Sequence, residues 1–313
     1  MTHAPANPAP PPAHPSDADG LPLVEVLIPT LNEAGHIAEA IENAKKLGPV
    51  FVLDSFSTDG TQDLARAAGA TVVEHAFVNY SAQKNWGLDN LPFKGRWVFI
   101  LDADERITPA LRKEVIAAVT GKDPAVGYYI NRVFIFMGRA IWHSGLFPSW
   151  NLRLFQRGKC RYEDRNVHEH MIADGPTRYL KHLMLHIRRE TMTEFIAKHI
   201  RYADMESDEW LRDLVRRQRG EASEKFDASM RFRQWLRRVV WPRMPFKPLI
   251  RFIYMYIVRL GVLDGRAGWH MALLMSNYEY MIELLYKEKR RLYEQGIVPP
   301  GLVGTIDAKP APA

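Results

Sequence analysis

Two aspartates separated by one alanine, Asp102 and Asp104, directly follow the apolar run 97–101. The run is short and rich in β-branched and aromatic residues, which is typical of a strand buried on both faces. Ligands of open α/β sheets collect at the carboxyl ends of strands. Two carboxylates at such a place can share a hard divalent cation that binds the oxygens of a diphosphate. The same residues also suit a turn or a helix cap before Thr108 and Pro109, so both interpretations stay open for the triplet alone.

The residues before this triplet alternate between strand and helix patterns. Short apolar runs predict strands at 24–29, 50–54, 70–77 and 96–101. Helix signals lie between the runs, among them Thr30 with Glu33, whose capping-box spacing predicts a helix to about Leu47. Strands joined by short helical crossovers favour a largely parallel sheet with right-handed connections. The predicted fold class is therefore α/β, with a Rossmann-like, mostly parallel sheet.

Beyond a predicted helix at 109–119, the pattern changes to strands without long helices between them. These additional strands are predicted at 127–142, 151–156 and 179–187 and extend the sheet as mixed strands. Thr191 with Glu194 repeats the capping-box spacing and predicts a charged helix to about Gly220.

Composition divides the chain near Arg189. We predict an α/β domain over 23–189, followed by a basic, helical, membrane-associating region over 190–298. Residues 1–22 are rich in Pro and Ala and lack the basic and apolar regions of a signal peptide, which predicts a disordered leader. Residues 299–313, rich in Pro, Gly and Ala, are predicted to form a disordered tail.

Overall composition is that of an ordinary globular protein, with 313 residues, of which 47% are hydrophobic and 25% are charged. Cys160 is the single cysteine, which excludes an intramolecular disulfide and fits a reducing compartment. It follows Arg157 and Gly158, so we expect it in an exposed turn, where a nucleophilic role is disfavoured.

The excess of positive charge is concentrated in one segment. The net charge is +6, yet no acidic residue occurs between Asp227 and Asp264. Eight basic residues lie there, interleaved with aromatic ones: Arg231, Arg233, Arg237, Arg238, Arg243, Lys247, Arg251 and Arg259. This mixture is expected at a membrane interface with anionic headgroups, and the apolar stretch 249–263 is too short to span a bilayer. We favour a helix lying in the membrane surface over a core helix with a solvated basic face, and nucleic acid is disfavoured as a partner.

A second polar turn, 55–61, follows Asp54 at the end of the second predicted strand. Its residues suit a base and ribose site, although any turn from strand to helix uses the same residue types. The chain has neither the Gly-x-Gly-x-x-Gly pattern of a dinucleotide site nor the Gly-Lys-Ser/Thr loop of phosphate-loop NTPases.

Four segments together resemble the family 2 glycosyltransferases with the GT-A fold. They are Ile28-Pro29-Thr30-Leu31-Asn32-Glu33, Asp54 with Ser57-Thr58-Asp59-Gly60-Thr61, Gln83-Lys84-Asn85-Trp86-Gly87 and Leu101-Asp102-Ala103-Asp104-Glu105. The resemblance covers about 24–187 and, through 142–145, 153–155 and 167–169, is greatest to the branch that includes lipopolysaccharide inner-core transferases. It implies a catalytic domain over 23–189 that uses a nucleotide-activated sugar and a divalent metal, Mg²⁺ or Mn²⁺.

The resemblance also implies donor-binding roles for individual residues. Pro29, Thr30 and Glu33 would line the nucleotide pocket, and Asp54 would contact the base. Lys84 would lie near the base or diphosphate, and Asp102 would hold the ribose or sugar. Asp104 would bind the metal directly. Arg153 is our candidate for a second cation, because a fixed positive charge stabilises the negative charge that develops on a leaving diphosphate.

An inverting transfer also needs a base that accepts the proton of the acceptor hydroxyl. Glu169 is the first candidate, from the match of Val167-His168-Glu169 to the family, and Asp164, beside Glu163, is the second. His168 is a candidate metal ligand, and His143 is a candidate contact to the sugar. The other histidines of this part are interpreted as structural: His170, His182 and His186.

These observations predict an inverting glycosyltransferase that is cytoplasmic and peripheral to the inner face of the cytoplasmic membrane. Its predicted acceptor is a glycolipid or lipid-linked sugar such as lipopolysaccharide core. A sugar-nucleotide pyrophosphorylase would need a Gly-rich loop with a catalytic Arg and Lys, which 24–33 does not offer. A catalytically silent module recruited to membranes is the other rival, and the intact carboxylates Asp54, Asp102, Asp104 and Glu169 argue against it.

Overall fold

Short runs of residues form the strands in this computed structural model, which describes residues 15–163, 171–187, 191–219 and 244–304. The strands are β1 Val24–Thr30, β2 Val50–Asp54, β3 Thr71–Glu74, β4 Trp97–Ile100, β5 Glu105–Ile107, β6 Gly127–Phe136, β7 Arg139–Ile141, β8 Trp150–Gln156, β9 Cys160–Tyr162, β10 Met171–Ala173 and β11 Thr177–Ile187. β9 and β10 pair with each other in a small antiparallel sheet, and the other strands form one large sheet. The helices are α1 Ile37–Ala44, α2 Thr61–Ala67, α3 Tyr80–Asn90, α4 Pro109–Thr120, α5 Met192–Gln218, α6 Lys247–Ile253 and α7 Gly265–Glu294.

The first four strands are parallel and lie in the order β3-β2-β1-β4. Helical crossovers join consecutive strands, as the alternating sequence pattern predicts. Thr30 pairs with Asp54 at the carboxyl ends of β1 and β2. This register brings the polar turns that follow the two strands to one edge of the sheet.

The sheet continues beyond β4 as mixed strands, which confirms the predicted α/β class. β8 is antiparallel to both β4 and β6, β11 is parallel to β6, and β5 is antiparallel to β11. The strand predicted over 127–142 is in fact two strands. Met137 and Gly138 both have positive φ angles, 49° and 73°, and such a two-residue turn reverses the chain between β6 and β7.

Apolar layers cover both faces of the parallel strands. Alternate residues of β1 serve the two faces, with Val26 and Ile28 in one apolar cluster and Leu27 in the other. α1 covers the first face with a stripe spaced at three and four residues, Ile37, Ala40, Ile41 and Ala44, all fully buried. Burial on both faces leaves the strand ends as the place where polar groups can meet a ligand.

The start of α1 differs from the sequence prediction. A capping box of Thr30 with Glu33 was expected, but the helix begins at Ile37 and Thr30 is the last residue of β1. The Thr30 hydroxyl instead donates to Asp54 (2.8 Å), and the backbone N–H of Glu33 donates to the Thr61 hydroxyl (2.8 Å). Asp54 and Thr61, which lie later in the chain, thus take the hydrogen-bonding partners that a local capping box would have used.

The chain divides into two compact units. The first contains residues 1–140 and 146–189, and the second contains 141–145 and 190–313. In the second unit, α5 has the capping box predicted at Thr191 and Glu194 and packs along α7. A buried ion pair joins these two helices, with 2.6 Å between Lys289 Nζ and Asp208 Oδ1.

The two predicted disordered ends fall partly outside the described residues. Within the described part, 15–22 form a turn around Asp17, whose carboxylate accepts the backbone N–H groups of Asp19 and Leu21. Residues 300–302 form a 3₁₀ turn with a fully buried Leu302. Order therefore extends into both segments.

Cys160 does not lie in the exposed turn that the sequence predicts. It belongs to β9 and is buried in the apolar cluster that contains Leu152 and Phe155. Burial raises the pKa of its thiol to about 11. The side chain is thus an unreactive core residue at neutral pH.

Across the described ranges, no helix combines the length and the apolar character that a bilayer-spanning helix requires.

Candidate functional site

Asp54 lies at the centre of the hydrogen bonds that organise the ends of β1 and β2. Its carboxylate is fully buried and accepts hydrogen bonds from the Thr30 and Ser57 hydroxyls (2.8 and 2.5 Å), the Ser57 backbone N–H (2.7 Å) and the Gln62 amide (2.8 Å). Burial alone would raise the pKa of Asp54, but these donors outweigh it and hold the pKa below the ordinary 3.8. The carboxylate is therefore ionised and fixes the turn that follows β2.

The turn after β1 is tied to the turn after β2 by side-chain to backbone contacts. Ser57 accepts the N–H of Asn32 (2.8 Å), and Asp59 accepts the N–H of Ala34 (3.0 Å). Thr30 therefore lies against Asp54, Pro29 pairs with Leu53 in the same register, and Glu33 contributes its backbone N–H to Thr61. Phe56 is exposed here at a left-handed φ of 59°. The two turns form one rigid wall at the sheet edge.

Asp102 forms a bidentate pair with Arg153. Arg153 Nη2 lies 2.5 Å from Asp102 Oδ2, and Nη1 lies 3.3 Å from Oδ1. The guanidinium is buried and also donates to Glu105 Oε1 (2.8 Å). A strand of the mixed part, β8, thereby places a fixed cation beside the carboxylate that ends β4.

Glu105 and Arg132 complete this buried network. Glu105 accepts Arg132 Nη1 (3.2 Å) and the backbone N–H of Asp102 (3.0 Å). Burial raises the pKa of Glu105, whereas for Asp102 burial is outweighed by Arg153 and Lys84, so that its pKa lies below the ordinary value. Sequence reasoning missed both members of the network. Glu105 could have been predicted, because it directly follows the triplet. Arg132 could not, because nothing in the sequence around it distinguishes it from an ordinary strand residue.

Lys84 is held in the same region by α3. Asn79 caps the helix, and the next turns place polar side chains in buried positions: Gln83, Lys84 and Asn85. Asn85 exchanges two hydrogen bonds with the backbone of Tyr162 (2.9 and 3.0 Å), and the Lys84 ammonium lies 5.1 Å from the Tyr162 ring centroid. A buried helix face made of polar residues indicates a role other than core packing. Lys84 thus adds a second cation close enough to lower the pKa of Asp102.

Asp104 contacts His186, which the sequence interpretation treated as structural. Asp104 Oδ2 lies 2.9 Å from His186 Nε2, and the carboxylate remains partly exposed. The antiparallel pairing of β5 and β11 sets this contact, since His186 pairs with Glu105. No local signal in the sequence marks His186, because its partner lies 82 residues away.

The Asp104 and His186 pair can be tested as a site for the implied Mg²⁺ or Mn²⁺. Within the described part of the chain, no cluster of three or more His, Cys, Asp or Glu side chains could hold a metal by itself. A hard cation that takes its other ligands from phosphate and water needs only one or two protein ligands. A partly exposed carboxylate beside an imidazole fits that requirement.

His143 lies in the second unit and does not share a unit with the other candidates. Its Nδ1 is 2.9 Å from Asp264 Oδ1, and the Asp264 side chain is almost fully buried. Asp264 is a residue that sequence reasoning missed. The candidates Asp164, His168 and Glu169 lie outside the described residues.

The structure therefore brings together most of the predicted donor-binding residues in the first unit. Pro29, Thr30, Glu33 and Asp54 lie at the ends of β1 and β2, while Asp102, Lys84 and Arg153 form one charged cluster after β4. Anionic and cationic groups held before a ligand arrives can bind a nucleotide diphosphate without reorganisation.

Comparison with known proteins supports this interpretation. The model of the family "Glycosyl transferase family 2" matches residues 25–173. The lipopolysaccharide core biosynthesis glycosyltransferase LpsC of Rhizobium meliloti (strain 1021) is 31% identical over 196 residues, which cover 60% of this chain and 72% of LpsC. An uncharacterised glycosyltransferase of Rickettsia bellii (strain RML369-C) is 26% identical over 207 residues, covering 62% of this chain and 68% of that protein.

Solved structures match a smaller part of the chain. Glucosyl-3-phosphoglycerate synthase from Mycobacterium tuberculosis, crystallised with Mn²⁺, uridine diphosphate and glucosyl-3-phosphoglycerate, is 23% identical with a TM-score of 0.30. Mannosyl-3-phosphoglycerate synthase from Rubrobacter xylanophilus is 21% identical with a TM-score of 0.31. Each match covers 36% of this chain, and the matched part spans less than half of those chains, 43% and 40%.

Proposed function

Because the chain belongs to glycosyltransferase family 2, we propose that it moves a sugar from a nucleoside diphosphate donor to a glycolipid or lipid-linked acceptor. Lipopolysaccharide core is the acceptor class we favour, since the 31% identical relative is named for its biosynthesis. The transfer is proposed to invert the configuration at the anomeric carbon. Residues 23–189 carry the GT-A catalytic domain in this proposal, and 190–298 carry the membrane-associating region.

The charged cluster at the end of β4 is the observation that carries this proposal. Breaking a sugar–phosphate bond builds negative charge on the leaving diphosphate, and cations fixed in advance stabilise it at no cost of reorganisation. Arg153 is held by two carboxylates, and Lys84 is buried beside Tyr162. We assign Arg153 and Lys84 to the diphosphate side and Asp102 to the ribose or sugar.

The wall formed by the turns after β1 and β2 is assigned to the nucleotide. Pro29, Thr30 and Glu33 line it, and Asp54 lies at the end that faces the base. Because the Asp54 carboxylate already accepts four hydrogen bonds, it also positions Ser57 and Gln62 for contacts of their own.

Asp104 and His186 are the residues that would hold Mg²⁺ or Mn²⁺, with His168 as a further candidate ligand. When bound, such an ion neutralises charge on the diphosphate oxygens. The residues themselves supply a partly exposed carboxylate and an imidazole 2.9 Å apart.

The acceptor hydroxyl must lose a proton as its oxygen attacks the anomeric carbon. Glu169 is assigned to accept it, with Asp164 as the second candidate, and His143 is assigned to the sugar. A carboxylate suffices as base because the hydroxyl becomes acidic only as the new bond forms.

We place the protein at the inner face of the cytoplasmic membrane as a peripheral protein. A lipid-linked acceptor requires access to a bilayer, and the run without acidic residues between Asp227 and Asp264 suits an anionic surface. Five of the eight basic residues of that run lie outside the described residues: Arg231, Arg233, Arg237, Arg238 and Arg243.

The test is release of nucleoside diphosphate from a panel of nucleotide sugars, with and without Mg²⁺ or Mn²⁺, in the presence of lipopolysaccharide core acceptors. We expect one donor to give metal-dependent release together with a glycosylated product of inverted configuration, which NMR identifies. A parallel assay supplies nucleoside triphosphate and sugar 1-phosphate, and release of pyrophosphate there would support a pyrophosphorylase. Absence of turnover with every donor and acceptor would contradict the proposal and favour the silent binding module.

A further inference from the structure

A cluster of large apolar side chains is exposed around α6 and the two turns that follow it in the second unit. We call it the 246–263 surface. Its members are Phe246, Leu249, Ile253, Ile257, Val258, Leu260, Val262 and Leu263. Phe246 is 77% exposed and Leu263 is 65% exposed. Contiguous exposed apolar side chains of this number mark an interaction site more often than single ones do.

Two members of this surface have a backbone conformation that their side chains do not favour. Phe246 and Leu260 both have φ of 55°, in the left-handed region, which suits Gly or Asn much better than a bulky residue. Both side chains are more than half exposed, Phe246 by 77% and Leu260 by 51%. Burial within the unit is therefore a weak reason for Phe and Leu at these positions, whereas contact with a partner outside the chain would account for them.

The same segment is fixed on its inner side. Met255 and Gly261 are buried, and a Cβ atom at residue 261 would lie 2.7 Å from the Met255 carbonyl oxygen. The Arg259 carbonyl accepts the backbone N–H of Ser144 (2.9 Å), within the same unit. A π turn over Tyr254–Val258 and a 3₁₀ turn over Gly261–Asp264 redirect the chain between these anchors. The apolar side chains are thus presented by a fixed scaffold.

The charged residues of this segment indicate which kind of partner the surface binds. Residues 244–263 contain no Asp or Glu, while Arg251 and Arg259 lie within the surface and Arg266 follows it. The next carboxylate, Asp264, is buried and accepts hydrogen bonds from the backbone of Trp142 and His143. Glu283 on α7 is the nearby carboxylate, and it is paired with the buried Lys247 (3.3 Å). An apolar surface whose own segment carries arginines and no carboxylate complements an anionic lipid surface.

We infer that the 246–263 surface inserts into the headgroup region of an anionic bilayer. The inference rests on the proposed membrane-surface function and deepens it, because it names the inserting residues in a segment distinct from the basic stretch 231–243. Aliphatic and aromatic side chains enter the boundary between headgroups and acyl chains, and the arginines remain at the level of the headgroups.

Vesicle binding tests the inference with variants that keep the fold. Phe246→Asn with Leu260→Asn removes two apolar side chains and relieves their left-handed strain, since Asn tolerates this conformation. We expect binding to vesicles of phosphatidylcholine and phosphatidylglycerol to fall by about tenfold or more. Ile172→Asn is the matched control, because Ile172 is similarly exposed (58%) but lies on β10 in the first unit, outside the 246–263 surface. Equal loss in the control, or no loss in the double variant, would overturn the inference.

Cations are tested separately with Arg251→Gln and Arg266→Gln. Each should weaken binding to the anionic vesicles by about fivefold at low salt and leave binding to pure phosphatidylcholine vesicles unchanged. Equal effects on both kinds of vesicle would contradict the charge argument.

A fluorescent label reports insertion directly. The single native cysteine is buried, so a cysteine introduced by Leu263→Cys can be labelled selectively, with Ile172→Cys as the control. We expect the emission of an environment-sensitive dye at residue 263 to shift to the blue on anionic vesicles, with no shift at residue 172. A lipid-independent shift that grows with protein concentration would show that a second copy covers the surface, and would overturn the inference.

The outcome is separable from that of the proposed function. Sugar transfer to a soluble acceptor should remain within about twofold of wild type in the Phe246→Asn, Leu260→Asn variant, because neither residue belongs to the donor site. Wild type that transfers sugar but does not bind vesicles overturns this inference and the proposed membrane association, and leaves the proposed sugar transfer standing. Wild type that binds vesicles but never turns over contradicts only the proposed function.

Discussion

His143 and Asp264 form a hydrogen-bonded pair across 121 residues of sequence, with 2.9 Å between Nδ1 and Oδ1. The same buried carboxylate accepts the backbone N–H groups of Trp142 (3.1 Å) and His143 (2.9 Å). One side chain therefore fixes both the backbone and the ring of His143. The imidazole ring is thus held in one orientation, and its other nitrogen, Nε2, remains for a contact outside this pair.

Asp264→Ala should lower the free energy of unfolding by about 1–3 kcal/mol, because two backbone N–H groups lose their buried acceptor. Asp264→Asn should cost less, since its amide oxygen can still accept. Chemical denaturation followed by circular dichroism measures both. A double-mutant cycle with His143→Ala should show coupling between the two side chains. Additive effects would contradict the proposed positioning of the ring.

Arg153→Met should destabilise the protein by about 3–5 kcal/mol, because Asp102 and Glu105 would remain buried without their cation. Arg153→Lys keeps the charge but loses the bidentate geometry, so its loss should be smaller. The control is Arg161→Met, which breaks a bidentate pair with Asp89 that is exposed on both sides and should cost under about 1 kcal/mol. Equal losses for the two Met variants in urea unfolding would mean that the buried network contributes no more than a surface pair.

The Asp54 carboxylate should make stability depend on pH in a defined direction. Its folded pKa lies below the ordinary 3.8, so the unfolded state takes up the proton first as pH falls. The stabilisation is complete above about pH 5 and is lost progressively as pH falls through 3.8 towards the folded pKa. Asp54→Asn should cost about 1–3 kcal/mol at pH 7, and its difference from wild type should shrink in acid. Unfolding curves from neutral pH to pH 3 measure this, and a constant difference would refute it.

Asp104→Asn should leave the fold intact and abolish turnover, because a hard cation loses a negatively charged ligand. Isothermal titration with the nucleoside diphosphate, with and without Mg²⁺ or Mn²⁺, separates the metal contribution from the rest of binding. His186→Ala should show the same loss in weaker form. If both variants bind the diphosphate as wild type does under each condition, the pair holds no metal.

Glu169→Gln should suppress sugar transfer while donor affinity stays near normal, because the amide keeps the shape of the side chain but cannot accept a proton. Turnover and donor affinity are measured on one preparation, with Asp164→Asn as the parallel variant. Survival of turnover within a few-fold for Glu169→Gln, together with its loss in Asp164→Asn, would reassign the base.

Local patterns predicted the parallel half of the sheet and the sheet edge at which the candidate donor-binding residues lie. Apolar runs locate β1, β2 and β4, and the polar groups that follow them meet because parallel strands end at one edge. Thr30 illustrates the limit of such reasoning. Its spacing to Glu33 is that of a capping box, yet Asp54, 24 residues away, takes its hydroxyl.

Apart from Glu105, the residues that sequence reasoning missed depend on pairing between distant strands or loops. Arg132 reaches Glu105 from β6, His186 reaches Asp104 through the pairing of β11 with β5, and Asp264 reaches His143. None of these contacts has a periodicity or spacing that a single sequence displays. Their long range is also the reason why they become visible only in the folded chain.

The brief passage of residues 141–145 through the second unit limits how this protein can be divided. A chain ended after residue 189 would keep Trp142, His143 and Ser144 but lose the acceptors that their backbone N–H groups use, Asp264 and the Arg259 carbonyl. The helical region therefore cannot be exchanged by itself for that of a relative. A chimera must exchange the five-residue segment 141–145 together with it. For the same reason, we expect substitutions in this segment and in the helical region to accompany each other in evolution.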